Sequence, residues 1–147
     1  MTDAAKTKIR RARATDAVRL AELAGELGYP TTKNEIRQRL SRLQPATTHA
    51  VFVAEAYGEL IGWLHVSRNY LLESPVRAEV NGLVVSAAAR GQGAGKDLLR
   101  AAEEWARQHK CTAVNVRSNV IRDRAHAFYE REGYQHYKTQ KAFRKAL

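Results

Sequence analysis

The 147-residue sequence lacks several features that would mark particular classes of protein. Cys111 is the only cysteine, so an internal disulfide and a cysteine-based metal site are both excluded. There is no apolar run of about 18 residues, so no transmembrane helix is expected. The first residues lack the apolar centre of a signal peptide. From these absences we expect a cytoplasmic protein with no membrane partner.

Acidic residues are scarce relative to basic ones. Asp and Glu number 15 against 25 Lys and Arg, which gives a net charge of +10. Such an excess suits nucleic acid, an acidic partner or an anionic cofactor. The basic residues are spread along the chain, and no helix-turn-helix, ribonucleoprotein or zinc pattern is present, so we do not expect nucleic acid. The five histidines show no metal-ligand spacing, and no metal is expected.

What the sequence does contain is sufficient apolar material for one folded domain. Hydrophobic residues make up 44% of a chain of single-domain length. Their spacing predicts a strand, two helices, three strands, a helix, a strand, a short helix and one or two last strands. We therefore predict one α+β domain over residues 1–147, with a six- to seven-stranded mixed sheet flanked by about four helices.

Local signals place some of these elements. Thr32 and Glu35 have the spacing of a capping box, which begins the second helix. Residues 68–75 are predicted to form a loop between the third and fourth strands. Residues 134–138 and 141–145 are predicted to form the last two strands.

A glycine-dense turn, residues 90–96, follows the fourth predicted strand, residues 77–85. Its three glycines let the backbone come close to a ligand, because no Cβ stands in the way. A helix pattern begins at once, so unpaired N–H groups and the positive end of the helix dipole form an anion site suited to phosphate or pyrophosphate. Arg90 and Lys96 add positive charge at its two ends.

Two well-known phosphate motifs do not fit this turn. The dinucleotide fingerprint needs a glycine where Lys96 stands, and the P-loop needs a glycine at Arg90 and a hydroxyl residue at Asp97. What fits is Arg-x-x-Gly-x-Gly after a strand that ends in Leu-x-Val, residues 83–85. Here the sequence resembles the GNAT superfamily of N-acetyltransferases, in which this loop holds the pyrophosphate of acetyl-coenzyme A. The alternative is a turn without a ligand.

The resemblance covers nearly the whole chain and implies the GNAT acyl-CoA N-acyltransferase fold. In that family a bulge separates this strand from the next one. A backbone N–H at the position of Leu83 then meets the acetyl carbonyl, and Val85 pairs with the pantetheine arm. The coenzyme-binding positions so implied are Leu83, Val84, Val85, Arg90, Gly91, Gln92, Gly93, Ala94, Gly95, Lys96, Asn119 and Phe128.

Glu79 is the first catalytic candidate. In the histone-acetylating branch of the superfamily, a glutamate at the same offset before Val85 acts as base, often through water. An exposed glutamate has a pKa near ~4.3, and partial burial would raise it toward a useful value. The alternative is a surface glutamate on an outward strand face.

Tyr129 is the second catalytic candidate. Residues 125–134 resemble the family helix whose second aromatic side chain points at the coenzyme sulfur. A phenol with a pKa near ~10 can donate a proton to the leaving thiolate. The alternative is a tyrosine that packs beside Phe128.

Many relatives have an asparagine after the fifth strand that bonds the pantetheine arm. Asn119 is the candidate for this contact, but it stands further from Tyr129 than usual. Either residues 120–122 are an insertion, or Ser118, Asn119 or Arg122 makes the contact.

The resemblance implies an N-acetyltransferase that moves an acetyl group from acetyl-CoA to a primary amine by direct transfer in a ternary complex. Cys111 lies away from every motif, so a covalent acyl-cysteine route is not expected. The family uses both small-molecule amines and protein amines, and it often forms dimers, so a homodimer is compatible with it. A non-catalytic acyl-CoA-binding sensor and a basic nucleic-acid-binding module are the alternatives.

The sequence does not identify the acceptor substrate. The first two predicted helices resemble the acceptor-side helices of the family, and Tyr29 between them is either an acceptor contact or a packing residue. A cationic acceptor would need an acidic pocket, to which Glu22, Glu26, Glu35 and Glu73 are candidate contributors.

Overall fold

A computed structural model describes residues 7–44, 47–118 and 120–147. Its contacts divide the chain into two units, one ending at Val116 and the other beginning at Arg117. The single-domain organisation over residues 1–147 stays a prediction. Across the described residues, each helix is too short or too polar to cross a bilayer.

The first unit contains five strands and three α-helices among its described residues. In chain order they are β1 Lys8–Arg11, α1 Ala17–Leu27, α2 Lys33–Leu43, β2 His49–Ala56, β3 Glu59–Leu71, β4 Ser74–Val85, α3 Ala94–Gln108 and β5 Val114–Val116. Single 3-10 turns precede α1 and follow β4. The described part of the second unit contains one helix, α4 Asp123–Arg131.

The strands form one sheet in the order β1-β2-β3-β4-β5. Neighbouring strands are antiparallel except for β4 and β5, which are parallel. The mixed sheet and the α+β class are thus confirmed, but the described residues give five strands rather than six or seven.

Two predictions about strands and loops are wrong. Residues 68–75 are not a loop, because β3 and β4 continue to pair as far as Leu71 and Ser74. A hairpin that faces water can be polar and still keep its ladder, so polar composition misled the prediction. Residues 134–147 form neither helix nor strand. Strand-forming residues alone do not make a strand, since the backbone groups of a strand need a partner.

Helices cover the two faces of the sheet. On one face, the apolar side chains of α1 and α2 pack in one cluster with Val51, Val53 and Val84 of the strands. On β3, the side chains of Leu64 and Val66 lie on the opposite face of the sheet from this cluster, and both are fully buried. α3, whose leucines Leu98 and Leu99 are also fully buried, packs against β2, β3 and β4. The α1/α2 face is therefore distinct from the α3 face.

The helix boundaries follow their capping signals. Thr32 Oγ1 accepts a hydrogen bond from the Glu35 N–H at 3.2 Å, and Glu35 Oε1 accepts one from the Thr32 N–H at 3.0 Å. The predicted capping box is therefore confirmed. α1 ends at Gly28, whose φ of +104° lies in the left-handed region.

Arg10 joins the edge of the sheet to the start of α1. It donates to both carboxylate oxygens of Asp16 at 2.9 Å, and to Glu55 Oε1 at 2.8 and 3.0 Å. The Arg10 and Asp16 side chains are only 13% and 10% exposed. The hydrogen bond from Arg10 lowers the pKa of Asp16 below its ordinary value of 3.8.

Replacing Arg10 with alanine should lower the free energy of unfolding by about 2–4 kcal/mol, because two carboxylates lose a partly buried cation. Urea unfolding near neutral pH measures this. The exposed Arg39–Glu35 pair, 3.2 Å apart, gives the control: Arg39→Ala should cost about 0.5 kcal/mol or less. Equal losses in the two variants would contradict the role of Arg10.

The same network sets an acid dependence. Because the pKa of Asp16 is lowered in the folded state, its contribution is complete above the ordinary value of 3.8 and is lost as the pH falls through the folded pKa. Arg10→Ala should therefore flatten the acid limb of the stability profile, measured by urea unfolding across that range.

Candidate active site

The carboxyl-terminal part of β4 has a described strand partner on one side only. β4 pairs with β3 up to Val85, whereas its parallel pairing with β5 is confined to residues 78–80. Residues 81–85 therefore run on after the β5 ladder has ended. An extended chain can add to such an edge through backbone hydrogen bonds.

A bulge lies where this stretch begins. Val80 pairs with Val66, but Gly82 pairs with His65, so Asn81 is an extra residue on β4. A bulge bends its strand and increases the local twist. The geometry is the one that the family resemblance requires for Leu83, Val84 and Val85, whose contacts with a coenzyme stay a prediction.

The glycine turn leads from β4 into α3. Gly91 and Gly93 have φ values of +84° and +86°, in the left-handed region that favours glycine. No other atom lies within 4 Å of a Cβ built on either residue, so the turn is not filled by side chains. The Asp97 N–H bonds to the Gly93 carbonyl at 3.0 Å. The N–H groups before Asp97 in the first turn have no partner inside the helix, which is what an anion needs.

The charge around the turn comes from exposed side chains. Arg90, Gln92 and Lys96 are all exposed, while Ala94 is buried at the start of α3. Arg90 follows the 3-10 turn after β4 and Lys96 lies in the first turn of α3, so a cation stands at each end of the glycine turn. Their contacts with a ligand stay a prediction.

Glu26 ties the end of α1 to the start of this turn. Its Oε1 accepts a hydrogen bond at 3.0 Å from the N–H of Ala87, the first residue of the 3-10 turn after β4. The Ser86 side chain does not cap that turn. A carboxylate from a distant part of the sequence therefore supplies the missing acceptor.

Glu79 is buried rather than exposed. It retains 5% of its accessible surface and lies in register between Ser67 of β3 and Asn115 of β5. The alternative of a surface glutamate is therefore wrong. The Asn81 amide donates to Ser67 Oγ at 2.9 Å and to the Glu79 carbonyl at 3.3 Å. Glu79 thus belongs to a polar group on the α1/α2 face, next to the bulge.

Trp63 lies against Gly82 on the same face. A Cβ on Gly82 would come within 2.8 and 2.9 Å of two atoms of the Trp63 ring. Gly82 is thus required by a close approach, since any larger residue would have to displace the indole. The Trp63 Nε1 is buried and makes no hydrogen bond with the described residues.

Two histidines meet on this face, and sequence reasoning missed them. His49 Nδ1 and His65 Nε2 are 3.0 Å apart, and the two rings are stacked with centroids 5.3 Å apart. Burial lowers the pKa of His65 to about 4, and the charge of His49 acts in the same direction. Their alternation with apolar residues on two adjacent strands was the available signal, but only metal spacing was considered.

No metal centre is formed by the residues that the structure describes, in which no three His, Cys, Asp or Glu side chains are grouped as ligands. That the reaction uses no metal stays a prediction.

The acceptor-side residues are arranged as follows. Tyr29 is 66% exposed between α1 and α2. Glu22 and Glu35 each form an ion pair with an arginine of their own helix, and Glu26 bonds to the turn after β4. Glu73 lies in the turn between β3 and β4. Two of the four candidate charges are therefore already offset by cations.

The second unit carries the predicted acid. Tyr129 lies in α4, edge-on to Phe128 at 5.2 Å and to Tyr134 at 6.0 Å between ring centroids. Burial raises the pKa of the Tyr129 phenol above its ordinary value of 10.0, and the charge of Arg122 partly opposes this. The phenol is therefore fully protonated at neutral pH. Asn119, predicted to contact the pantetheine arm, lies outside the described residues.

Comparison with known proteins relates this arrangement to a family. The sequence matches the model of the acetyltransferase (GNAT) family over residues 16–134. An aminoalkylphosphonate N-acetyltransferase of Salmonella typhimurium (strain LT2) is 38% identical over 88 residues, which are 58% of this chain and 57% of the relative. The chain thus aligns with little more than half the length of that relative.

Two further relatives align over most of the chain. An uncharacterized N-acetyltransferase of Bacillus subtilis (strain 168) is 28% identical over 138 residues, covering 86% of this chain and 89% of the relative. The structure of the aminoglycoside N-acetyltransferase AAC(6')-Iy in complex with CoA superposes with a TM-score of 0.88. Its identity is 18%, over 100% of this chain and 99% of that one, so this likeness concerns the fold alone.

Gly82→Ala should displace the Trp63 ring and lower the free energy of unfolding by about 1–3 kcal/mol, as overpacking does. It should also shift the tryptophan emission of the folded protein. Urea unfolding and fluorescence measure the two effects.

Gly25→Ala is the matched control, because a Cβ there meets nothing within 4 Å and the residue lies inside α1. It should raise stability by about 0.5–1 kcal/mol and leave the emission unchanged. If both variants behave alike, the close approach at Gly82 does not matter.

Proposed function

We propose that this chain, which belongs to the acetyltransferase (GNAT) family and is therefore an acyltransferase, transfers an acetyl group from acetyl-CoA to a primary amine in a ternary complex. One observation carries this proposal: the open edge of β4 after Val80 runs directly into the glycine turn that begins α3. A ligand in which an amide-bearing arm is attached to a diphosphate would meet the two features in that order.

The residues fit such a ligand. The backbone of Leu83 and Val85 offers the arm the pairing that β5 does not provide. The first N–H groups of α3 offer donors to the diphosphate, and Arg90 and Lys96 offer it positive charge. When bound, acetyl-CoA supplies the activated acetyl thioester.

The chain must then handle two protons and one developing charge. The acceptor amine loses a proton, for which the buried Glu79 is our candidate, directly or through water. The Leu83 N–H donates to the acetyl oxygen as negative charge develops there. Tyr129, which stays protonated, donates to the thiolate that leaves.

The acceptor class is proposed from the relatives. The names of two of them describe aminoalkylphosphonates and aminoglycosides as amine acceptors. Both are small, polar primary amines, and we propose an acceptor of that kind for this chain. A cytoplasmic site of action is proposed with it.

The decisive experiment is an amine panel with detection of the released CoA thiol. The panel contains aminoalkylphosphonates, aminoglycosides, a polyamine and a peptide with a free amino terminus. Acetyl-CoA binding is measured in parallel by calorimetry. Transfer to any amine supports the proposal. Binding without transfer would indicate a sensor, and salt-dependent DNA binding without CoA binding would indicate a nucleic-acid module.

Replacing Arg90 or Lys96 with glutamine should weaken CoA binding by about three- to tenfold at low ionic strength, and by less at high salt, because exposed charges are screened. Calorimetric titration in two salt concentrations measures this. Arg100, exposed on α3, is the control, and Arg100→Gln should change the affinity by less than about twofold. Equal losses in all three variants would indicate a general charge effect.

Tyr129→Phe should lower kcat by about 100-fold while leaving the Kd for acetyl-CoA nearly unchanged, because it removes a proton donor and keeps the ring. Since burial raises the pKa of Tyr129 above 10.0, the wild-type rate should not fall from loss of this proton until the pH exceeds that value. Tyr57→Phe, at a residue 82% exposed, is the control. A fully active Tyr129→Phe enzyme would exclude the acid role.

A further inference from the structure

We propose that His65 and His49 form a relay that takes the proton from the acceptor amine and passes it toward solvent. This inference rests on the proposed function and concerns the same site. Its basis is the contact between the two imidazoles, whose facing nitrogens are 3.0 Å apart within a stacked pair. A contact of that length between ring nitrogens requires a proton on one and a lone pair on the other.

The register of the sheet places His65 nearer to the proposed reaction centre than Glu79. His65 lies directly opposite Gly82, the neighbour of Leu83. Residues that face each other on antiparallel strands have Cα atoms about 5 Å apart. Glu79 precedes Leu83 by four residues, roughly 13 Å along a regular strand at about 3.3 Å per residue. Gly82 has no side chain, and the Trp63 ring covers the position that its Cβ would take.

The proton transfer balances when the protons on the two rings are placed as follows. His65 carries its proton on Nε2 and donates it to the lone pair of His49 Nδ1. His65 Nδ1 makes no hydrogen bond with the described residues, so its lone pair can accept a proton from the amine. As the amine nitrogen forms its bond to the acetyl carbon, its proton goes to His65 Nδ1, and the Nε2 proton goes to His49. His65 ends neutral, and His49 becomes the imidazolium.

The surroundings of His65 keep its ring neutral. Burial disfavours the charged form of His65, whose pKa falls to about 4. His49 lines a small cavity of about 20 Å³, room for about one water, together with Arg11, Leu43 and Gln44. Among the described residues, the register places the ionisable side chains of Arg10, Glu55, Arg77 and Glu79 on this face of the sheet. Arg11 pairs with Phe52 and lies over its ring on the opposite face.

Glu79 has a different part in this scheme. It pairs with Ser67, which in turn pairs with His49, so the three side chains lie in one row across the α1/α2 face. In this scheme His65 takes the first proton in place of Glu79, to which the family resemblance assigns that role, and Glu79 is a positioning residue in the same row as His49.

Kinetics of glutamine variants test the relay. His65→Gln and His49→Gln should each lower kcat by about 100-fold and change the Kd for acetyl-CoA by less than about twofold. The kcat of the double variant should be at most about threefold lower than that of the slower single variant, because relay members act as a unit. Glu79→Gln should lower kcat by less than about tenfold.

Two further measurements separate a proton role from a structural one. His49→Ala should regain part of its rate when imidazole is added, since the truncation leaves a cavity of the size of the lost ring. His109 is the matched control, because it also stacks on a ring, that of Trp105, at 4.3 Å. His109→Gln should keep the wild-type kcat. Unchanged kcat in His65→Gln, or a larger loss in Glu79→Gln than in His65→Gln, would overturn the relay.

Nitrogen-detected NMR of the histidine rings tests the pair without any transfer reaction. His65 should remain neutral and protonated on Nε2 between about pH 5 and 8, where an ordinary histidine titrates. Titration of His65 at an ordinary pKa would overturn the relay. A wild-type protein that acetylates no amine in the panel removes the proposed function and the relay together. An active wild type with an active His65→Gln variant removes the relay alone.

Discussion

The loss of β5 as a partner after Val80 is the constraint on which the other features of the site depend. A β-strand carries a row of donors and acceptors on each side, and leaving one row unpaired inside a protein costs free energy. The bulge at Asn81 begins this stretch, and the glycine turn ends it. One continuous segment therefore offers an edge for an extended chain and then donors for an anion, without any large loop.

The chemistry of the site is built on strands rather than on loops. On the α1/α2 face, an apolar row with Val53 and Trp63 borders polar rows that contain Ser67 and the two histidines. Buried polar groups are costly unless they bond to each other. The links from Asn81 to Ser67 and from His49 to His65 meet that requirement and hold the side chains in fixed positions.

The sequence was sufficient wherever structure depends on local signals. The capping box of Thr32 and Glu35, the turn that precedes α3 and the short helix around Tyr129 all follow from residues close together in the chain. What could not be predicted depends on pairing between distant residues. The long β3–β4 hairpin was missed because a polar ladder has no apolar pattern, and residues 134–147 have a strand pattern without a described partner.

The same limit applies to the candidate site. That Glu79 is buried follows from its position between β3 and β5, and that His49 meets His65 follows from the register of β2 and β3. Neither register is encoded within a few residues. The family resemblance supplied Glu79 and Tyr129 as candidates, but it carried no information about a histidine pair that belongs to this chain.

The bond from Glu26 to the Ala87 N–H has a consequence for how such a protein can diverge. It joins α1, which the family resemblance puts on the acceptor side, to the backbone segment that leads into the proposed anion-binding turn. A substitution that reorients the end of α1 to admit a bulkier amine must also move or break this link. Substitutions in α1 that admit a new acceptor are therefore expected to change the affinity for the acetyl donor as well. Substitutions of Tyr29, in the exposed segment between α1 and α2, leave the bond from Glu26 to Ala87 in place.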